Sequence, residues 1–252
     1  MEEPEHPETE GAVIRAFVAG ATGYTGREVV RALRARGADT LAHVRPDSAR
    51  LAEWRARFVA LGAEVDTTPW EAAPMAATLR QFRPDAVFAL LGTTRARARR
   101  ASGQGGGDQG YEAVDFGLTM LLYRAAEASG ARPRFVYLSA AGVREAGGNS
   151  YLQARARVER ALREGTLPYT VARPSFITGP DRDEFRLGER LAAQIADRIL
   201  AVVALVGGRW LRERYHSTTN VILADALVRL ALDPAAAGTV VESEGLRPQV
   251  VN

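Results

Sequence analysis

Three glycines within seven residues are the clearest chemical feature of the chain. The segment GATGYTG, residues 20–26, follows an apolar run and opens an amphipathic stretch. Glycines between a strand and a helix permit a tight turn and a close approach of backbone to a pyrophosphate, which the positive helix N-terminus attracts. The turn therefore predicts a dinucleotide site. Its members, with two threonine hydroxyls as added donors, are Gly20, Thr22, Gly23, Tyr24, Thr25 and Gly26.

Arg45, just after the second predicted strand, bears on which dinucleotide binds. NAD-selective sites carry an acidic residue there, about 20 residues beyond the turn, to hold the adenosine ribose. A guanidinium instead pairs with a 2′-phosphate, so the sequence predicts NADPH (NADP) as the cofactor. His43 and Arg50 could assist, although Arg50 equally suits a solvated helix. Asp66 is placed to meet the adenine or to lie in a surface turn.

Apolar runs of strand type alternate with amphipathic segments along the chain, which is typical of a parallel sheet with crossover helices. Predicted strands cover residues 13–19, 40–45, 64–67, 86–91, 135–139, 169–173 and 239–242. Predicted helices cover residues 24–36, 48–61, 75–82, 111–129, 151–163, 184–206 and 220–231. The expected class is α/β: a doubly wound, mostly parallel Rossmann sheet with a small C-terminal substrate-covering region. We expect one domain over residues 12–252, preceded by a disordered leader over residues 1–11.

Composition excludes several kinds of chemistry. The chain has 252 residues, of which 46% are hydrophobic, so it can bury a large core. It has no cysteine, which excludes zinc–thiolate sites, iron–sulfur clusters and disulfides. Its three histidines are too few to favour a metal site. The chain has no lysine, and its arginines are interspersed with acidic residues so that the net charge is only +3. This distribution of charge disfavours a nucleic-acid partner. The acidic start lacks a signal sequence, and the most apolar run, residues 199–206, is too short to span a membrane. A soluble, cytoplasmic protein is expected.

Five motifs, in order, carry a resemblance to a known family. They are GATGYTG, LLGTT at residues 90–94, LS at 138–139, YLQAR at 151–155 and ARPS at 172–175. Together they resemble the extended and atypical branch of the short-chain dehydrogenase/reductases. Within that branch the chain is similar to Tat-interacting oxidoreductase-like proteins, with NmrA-like sensors as close neighbours. The resemblance extends from residue 17 to about residue 233.

The resemblance implies a catalytic set with one departure. In the family a tyrosine is the acid/base, a serine orients the carbonyl, and a lysine four residues after the tyrosine holds the ribose and lowers the tyrosine pKa. Ser139 and Tyr151 match, but Arg155 stands at the lysine position and the chain has no lysine. Residues four apart share a helix face, so Arg155 could still reach the ribose. Its planar guanidinium cannot relay a proton, so the departure affects the expected turnover rather than the expected cofactor binding.

Further contacts follow from the same resemblance. Leu91, Gly92 and Thr93 are expected beside the cofactor ribose, and Pro174 with Ser175 beside the nicotinamide. Arg95 either touches phosphate or is solvated, and His216 either faces the substrate cleft or lies on the surface. Residues 95–110, rich in arginine and glycine, are expected to form a solvated loop or a lid, and helix 184–206 a core element, a pocket cover or a dimer face.

Three functions are considered as hypotheses. The first is an NADPH-dependent reductase of a small carbonyl or quinone compound, with Tyr151 as proton donor. The second is a non-catalytic NAD(P)H sensor that changes its affinity for a regulatory protein partner, which the arginine at the lysine position favours. Modification of sugar nucleotides or flavin-type compounds is a third, to which no residue points. The expected partners are a small-molecule substrate and, in addition, a second copy of the chain or a regulatory protein.

Overall fold

A seven-stranded parallel sheet forms the centre of the computed structural model, which describes residues 13–92, 111–144, 149–175, 177–178 and 218–247. The strands are β1 (Arg15–Ala19), β2 (Asp39–His43), β3 (Glu64–Asp66), β4 (Ala86–Ala89), β5 (Arg134–Leu138), β6 (Tyr169–Arg173), β7 (Ile177–Thr178), β8 (Thr218–Thr219) and β9 (Thr239–Glu242). The order across the large sheet is β3-β2-β1-β4-β5-β6-β9. Strands β7 and β8 pair separately, also in parallel.

Six α-helices lie within the described residues. They are α1 (Tyr24–Ala35), α2 (Leu51–Ala60), α3 (Ala72–Phe82), α4 (Thr119–Ser129), α5 (Ser150–Glu164) and α6 (Asn220–Leu232). A π-helical segment, Tyr111–Leu118, runs directly into α4, and a 3-10 turn, Pro234–Ala236, follows α6. The wider π-helical turn is a local departure from α geometry of the kind often found at functional sites.

Both faces of the sheet are buried, because side chains alternate between two apolar clusters along each strand. On β1, Ala16 and Val18 pack with α1 and α6, whereas Phe17 and Ala19 pack on the opposite face with α3 and α4. All four side chains are fully buried. This explains why the strands read as continuous apolar runs rather than as alternating polar and apolar residues.

The chain reverses its direction of travel across the sheet at β1. Strands β2 and β3 lie on one side of β1, and β4, β5, β6 and β9 lie on the other. Such a reversal leaves a crevice at the carboxyl ends of the two adjacent strands, where α/β proteins bind ligands. The crevice between β1 and β4 therefore locates the site before any side chain is considered.

The predicted fold class is confirmed, and the seven strands of the large sheet were all predicted, with ends that differ by at most two residues. Two differences are local. The predicted helix 111–129 divides into π-helical and α-helical parts, and β7 and β8, each of two residues, are too short to produce a periodic pattern. The leader, the loop 95–110, helix 184–206 and most of the expected C-terminal covering region lie outside the described residues.

Candidate functional site

The glycine turn joins β1 to α1 under tight steric limits. Gly20 has a φ of +82°, and a Cβ atom there would lie 2.6 Å from the carbonyl oxygen of Leu90. A Cβ at Gly26 would lie 2.1 Å from the carbonyl oxygen of Gly20. The Gly23 N–H donates to that same oxygen at 2.9 Å. Gly20 and Gly26 are therefore required by backbone packing, independent of any ligand.

The first turn of α1 is prepared for an anion. Gly23 caps the helix without a side-chain hydrogen bond, and no acidic side chain lies in the first turn. Backbone N–H groups at such an end attract phosphate. Thr25 is buried, Thr22 is half-buried and Gly23 is exposed, so the turn offers backbone rather than bulky side chains to a ligand. The residues present fit a dinucleotide pyrophosphate.

On the β2 side of the crevice, Arg45 and Arg50 differ in their availability. Arg45 follows β2, its side chain is 50% exposed, and its guanidinium lies 3.3 Å from the Asp47 carboxylate. Arg50 donates two hydrogen bonds to Glu53, at 2.7 and 2.8 Å, and lies over the Trp54 ring. Arg50 is thus engaged on α2, whereas Arg45 holds one exposed ion pair that a phosphate can replace.

His43 and Asp66 turn inward at the ends of β2 and β3. The His43 Nε2 lies 2.8 Å from the carbonyl oxygen of Thr68 and 3.8 Å from a carboxylate oxygen of Asp66. Because a carbonyl only accepts, Nε2 carries the proton. The other Asp66 oxygen accepts from the Thr68 hydroxyl at 2.7 Å, and Trp70 packs edge-on against His43. These contacts fix the positions of His43 and Asp66 at the ends of β2 and β3, near the expected adenosine position.

Burial makes His43 a source of acid sensitivity. Burial lowers the pKa of His43 below its usual value of 6.5, more than the Thr68 hydrogen bond and the Asp66 charge raise it. The unfolded chain therefore binds a proton first as pH falls through about 6.5, so the free energy of unfolding decreases by up to about 1.4 kcal/mol per pH unit. We expect His43→Gln, which keeps a donor for Thr68, to remove this decrease in urea unfolding at pH 7.5, 6.5 and 5.5. Equal slopes for both proteins would contradict the assignment.

On the other side of the crevice, α5 presents three polar residues on one face. Tyr151, Arg155 and Glu159 are spaced four apart, and Arg155 and Glu159 are almost fully buried against the ends of β5 and β6. Asn149 caps the helix by accepting from the Leu152 N–H at 3.0 Å. A helix this polar on its inner face must satisfy each charge internally.

Arg155 is held by several groups at once. Its guanidinium donates to the Asp115 carboxylate at 2.9 Å and to the Leu138 carbonyl, and lies 4.6 Å from the centre of the Tyr151 ring. Asp115 comes from the π-helical segment and its side chain is fully buried. A Cβ at Gly92 would lie 3.2 Å from the guanidinium, so the absence of a side chain there leaves room for it.

The same neighbours affect two ionisation equilibria. Burial alone lowers the pKa of Arg155, but the surrounding Tyr137, Tyr151 and Asp115 groups raise it above its ordinary value. Burial raises the pKa of Tyr137, which the Arg155 charge only partly offsets. Arg155 is therefore a permanent cation, and Tyr137 remains a neutral phenol beneath it.

Ser139 is bonded to an acid that the sequence analysis did not identify. Its hydroxyl donates to Glu159 at 2.6 Å, and Arg173 holds both oxygens of the same carboxylate at 3.0 and 2.5 Å. Arg173 also donates to Glu242 on β9 at 2.9 Å. Glu159 lies two helical turns after Tyr151, so its spacing was visible in the sequence, but its partners were not.

The remaining predicted residues follow the strand ends. Leu91 and Gly92 follow β4 after one intervening residue, Leu90, and are half-buried and exposed respectively. Pro174 is buried and Ser175 half-buried after β6. Thr93, Arg95 and His216 lie outside the described residues. The described candidates thus all lie along the carboxyl edge of the sheet, on the two sides of the crevice.

Comparison with known proteins now bears on the identity of the site. The model of a family described as NAD(P)H-binding matches residues 20–204, which is most of the chain and begins at the glycine turn. This chain belongs to the NAD(P)H-binding family. The predicted resemblance to NAD(P)-binding short-chain dehydrogenase/reductases is confirmed at this level, and the finer similarity to Tat-interacting oxidoreductase-like and NmrA-like proteins stays a prediction. No curated protein matches the chain.

Solved structures similar to this NAD(P)H-binding protein share its fold. UDP-glucose 4-epimerase from Brucella ovis in complex with NAD is 15% identical, with a TM-score of 0.64 over 91% of this chain and 77% of that one. Leucoanthocyanidin reductase with NADPH from Vitis vinifera is 17% identical, with a TM-score of 0.62 over 90% and 67%. The oxidoreductase ylbE from Lactococcus lactis is 17% identical, with a TM-score of 0.58 over 90% and 89%. At these identities the similarity shows the fold alone.

None of the described helices is long and apolar enough to cross a membrane. Within the same part of the chain, no group of three or more histidine, aspartate or glutamate side chains could hold a metal ion.

Proposed function

We propose that this NAD(P)H-binding protein uses NADPH to reduce a small carbonyl or quinone compound, with Tyr151 as the proton donor. The observation that carries the proposal is the pairing of Tyr151 with the Arg155 guanidinium, 4.6 Å from the ring centre, beside Gly92 at the carboxyl edge of the sheet. This pair lies across the crevice from Arg45. Among the similar structures, one is named an oxidoreductase and one a reductase with NADPH.

The roles divide between the two sides of the crevice. The glycine turn and the start of α1 would hold the pyrophosphate, and Arg45 the 2′-phosphate. When bound, NADPH supplies a hydride to the substrate carbon. Tyr151 gives its hydroxyl proton to the substrate oxygen, and the nearby Arg155 cation stabilises the negative charge left on the tyrosine. Arg155 is committed to Asp115, so it acts in this scheme as a fixed charge rather than as a proton carrier.

Ser139 has a restricted part in this scheme. A serine hydroxyl has one proton, and Ser139 donates it to Glu159 at 2.6 Å. To donate to a substrate carbonyl, Ser139 would have to release Glu159. In the observed arrangement it can only accept, so protonation of the substrate rests on Tyr151.

The proposed preference for NADPH has a direct test in Arg45→Asp. The variant replaces a guanidinium, which attracts the 2′-phosphate, with a carboxylate. The carboxylate repels the 2′-phosphate of NADPH and can accept a hydrogen bond from the free ribose hydroxyl of NADH. We expect NADPH affinity to fall about 100-fold, while NADH affinity stays equal or improves. Fluorescence titration with both nucleotides measures this change. Arg50→Asp, on the neighbouring helix, is the matched control and should have a smaller effect; equal NADPH and NADH affinities in the unmodified protein would contradict the role of Arg45.

The reductase function is tested with the purified protein and NADPH. Absorbance at the reduced nicotinamide band is followed over a panel of aldehydes, ketones and quinones. We expect consumption of NADPH with at least one class and product formation in equal amount. Absence of turnover across the panel, from protein that binds NADPH, would exclude the reductase function while leaving the dinucleotide site intact.

A non-catalytic sensor is the second candidate function, and two contacts favour it. The Ser139 proton is held by Glu159, and Arg155 is held by Asp115, so two of the three expected catalytic groups are occupied by internal partners. In a sensor, the affinity for a protein partner must differ between the NADPH-bound and NADP⁺-bound forms. Partner capture in the presence of each nucleotide tests this candidate, and identical capture with either nucleotide and with neither would exclude it.

A further inference from the structure

The buried pair formed by Arg155 and Asp115 lies on the side of the crevice opposite the adenosine-binding residues. A dinucleotide that lies across the switch point between β1 and β4 has its two halves on opposite sides of it. Arg45 and Asp66 follow β2 and β3, whereas Arg155 packs beneath Gly92, after β4, and against Leu138 on β5. The turn and β4 are in direct contact, since a Cβ at Gly20 would meet the Leu90 carbonyl at 2.6 Å. The nicotinamide half would therefore lie on the Arg155 side.

Among the described residues on that side, two separate groups of ion pairs are present. Arg155 has Asp115 at 2.9 Å, and both side chains are nearly or fully buried. The second group is centred on Glu159, which lies between Arg173 and Arg163, with Glu242 beyond Arg173. Tyr137, also packed against Arg155, is a neutral phenol. Asp115 is thus the counter-charge of Arg155, the cation that lies against Gly92 among the described residues.

The two redox forms of the cofactor differ at this end of the molecule. The nicotinamide ring is cationic in NADP⁺ and neutral in NADPH, while the phosphates and the adenosine are the same in both. A buried cation without a counter-charge repels the positively charged ring of NADP⁺. It does not repel the ring of NADPH, because that ring carries no net charge. A balanced pair leaves both forms acceptable to the site.

We propose that Asp115 sets the relative affinity of the site for the oxidised and reduced cofactor, by neutralising Arg155 beneath the nicotinamide half. The proposal rests on the placement of the nicotinamide in the proposed function, but it requires no turnover. In this role Asp115 is a positioning and charge-balancing residue that touches neither substrate nor cofactor. The residue had no part in the motifs that the sequence analysis identified.

The test compares the dissociation constants of NADP⁺ and NADPH in Asp115→Asn, which keeps the shape and the hydrogen-bonding capacity of the side chain. Arg155 cannot lose its proton in response, so one positive charge is gained. Coulomb's law at an effective dielectric constant of about 20 gives a change of about tenfold for charges roughly 10 Å apart. We expect the affinity ratio to shift about tenfold in favour of NADPH, measured by calorimetric titration of the full chain.

Two further variants separate charge from packing. The double variant D115N/R155Q restores a net charge of zero and should return the ratio close to that of the unmodified protein. Asp225→Asn removes an exposed carboxylate of α6 that pairs with Arg36, and should leave the ratio unchanged. If D115N does not fold, R155Q, which removes the cation and leaves the Asp115 carboxylate without its counter-charge, should shift the ratio about tenfold toward NADP⁺.

The results that overturn the proposal are equally specific. If D115N weakens the binding of NADP⁺ and NADPH equally, the Arg155–Asp115 ion pair has only a structural role. A similar shift in Asp225→Asn would show that the effect is one of overall charge, and failure of the unmodified protein to bind either nucleotide would remove its basis. Protein that shows the expected ratios but reduces nothing would refute the reductase function and leave the inference intact.

Discussion

Gly26→Ala should abolish tight dinucleotide binding and destabilise the protein. The new Cβ would lie 2.1 Å from the Gly20 carbonyl oxygen and 2.9 Å from the Ala21 Cα, and both are backbone atoms that no rotamer change can move. α1 must therefore shift away from β1, which displaces the N–H groups that would face the pyrophosphate. We expect a loss of at least about 100-fold in NADPH affinity, and a decrease of about 3 kcal/mol in the free energy of unfolding. Fluorescence titration and urea unfolding measure the two quantities.

Gly37→Ala is the matched control for this substitution. Gly37 ends α1 with a φ of +74°, and an added Cβ would meet nothing within 4 Å. The substitution costs about 1 kcal/mol through backbone strain and leaves the nucleotide-binding turn in place. Its NADPH affinity should match that of the unmodified protein. Gly26→Ala protein that binds NADPH as tightly as the control would contradict the role given to the turn.

Tyr151→Phe should lower the rate of substrate reduction by about 10² to 10⁴ while NADPH affinity changes by less than about twofold. The substitution removes only the hydroxyl, so the ring remains against the Arg155 guanidinium, where it packs at 4.6 Å. Ser139 donates its proton to Glu159, and the Tyr137 hydroxyl is fully buried beneath Arg155, so neither is available to replace it. Single-turnover measurement with pre-bound NADPH isolates the chemical step from binding.

The control for this variant is Tyr169→Phe. Tyr169 begins β6 and therefore lies at the amino edge of the sheet, opposite the crevice. Its loss of a hydroxyl should leave the reduction rate unchanged. An unaltered rate in Tyr151→Phe would show that the proton comes from another group or from water, and would remove the principal catalytic assignment.

The sheet could be predicted from the sequence because its signals are local. Each strand is an apolar run bounded by turn residues, and the glycines that join β1 to α1 are required by contacts that the motif itself implies. The reversal of the chain's direction at β1 is also expected, because a parallel sheet whose first strand ends in this glycine motif is typically doubly wound. Arg45 could likewise be placed at a strand end by counting residues from the turn, whereas Gly92 was placed by the resemblance of its LLGTT segment to the family.

The partners within the site could not be predicted, because they are distant along the chain. Asp115 meets Arg155 across 40 positions, and Ser139 meets Glu159 across 20. Neither acid belongs to a recognisable motif, and the π-helical turn that carries Asp115 has no periodic signal distinct from that of α4. The sequence named Ser139, Tyr151 and Arg155 as catalytic candidates, but it could not show the internal hydrogen bonds that limit what Ser139 and Arg155 can do.

Calorimetric titration of the unmodified protein with NADPH, and separately with NADH, tests the central claim most directly. A phosphorylated dinucleotide bound at the glycine turn, with Arg45 on its 2′-phosphate, predicts saturable binding of one NADPH per chain and at least about tenfold weaker binding of NADH. The same titration of Gly26→Ala should show no saturable binding. Absence of binding for both nucleotides, or NADPH binding that Gly26→Ala leaves unchanged, would contradict it.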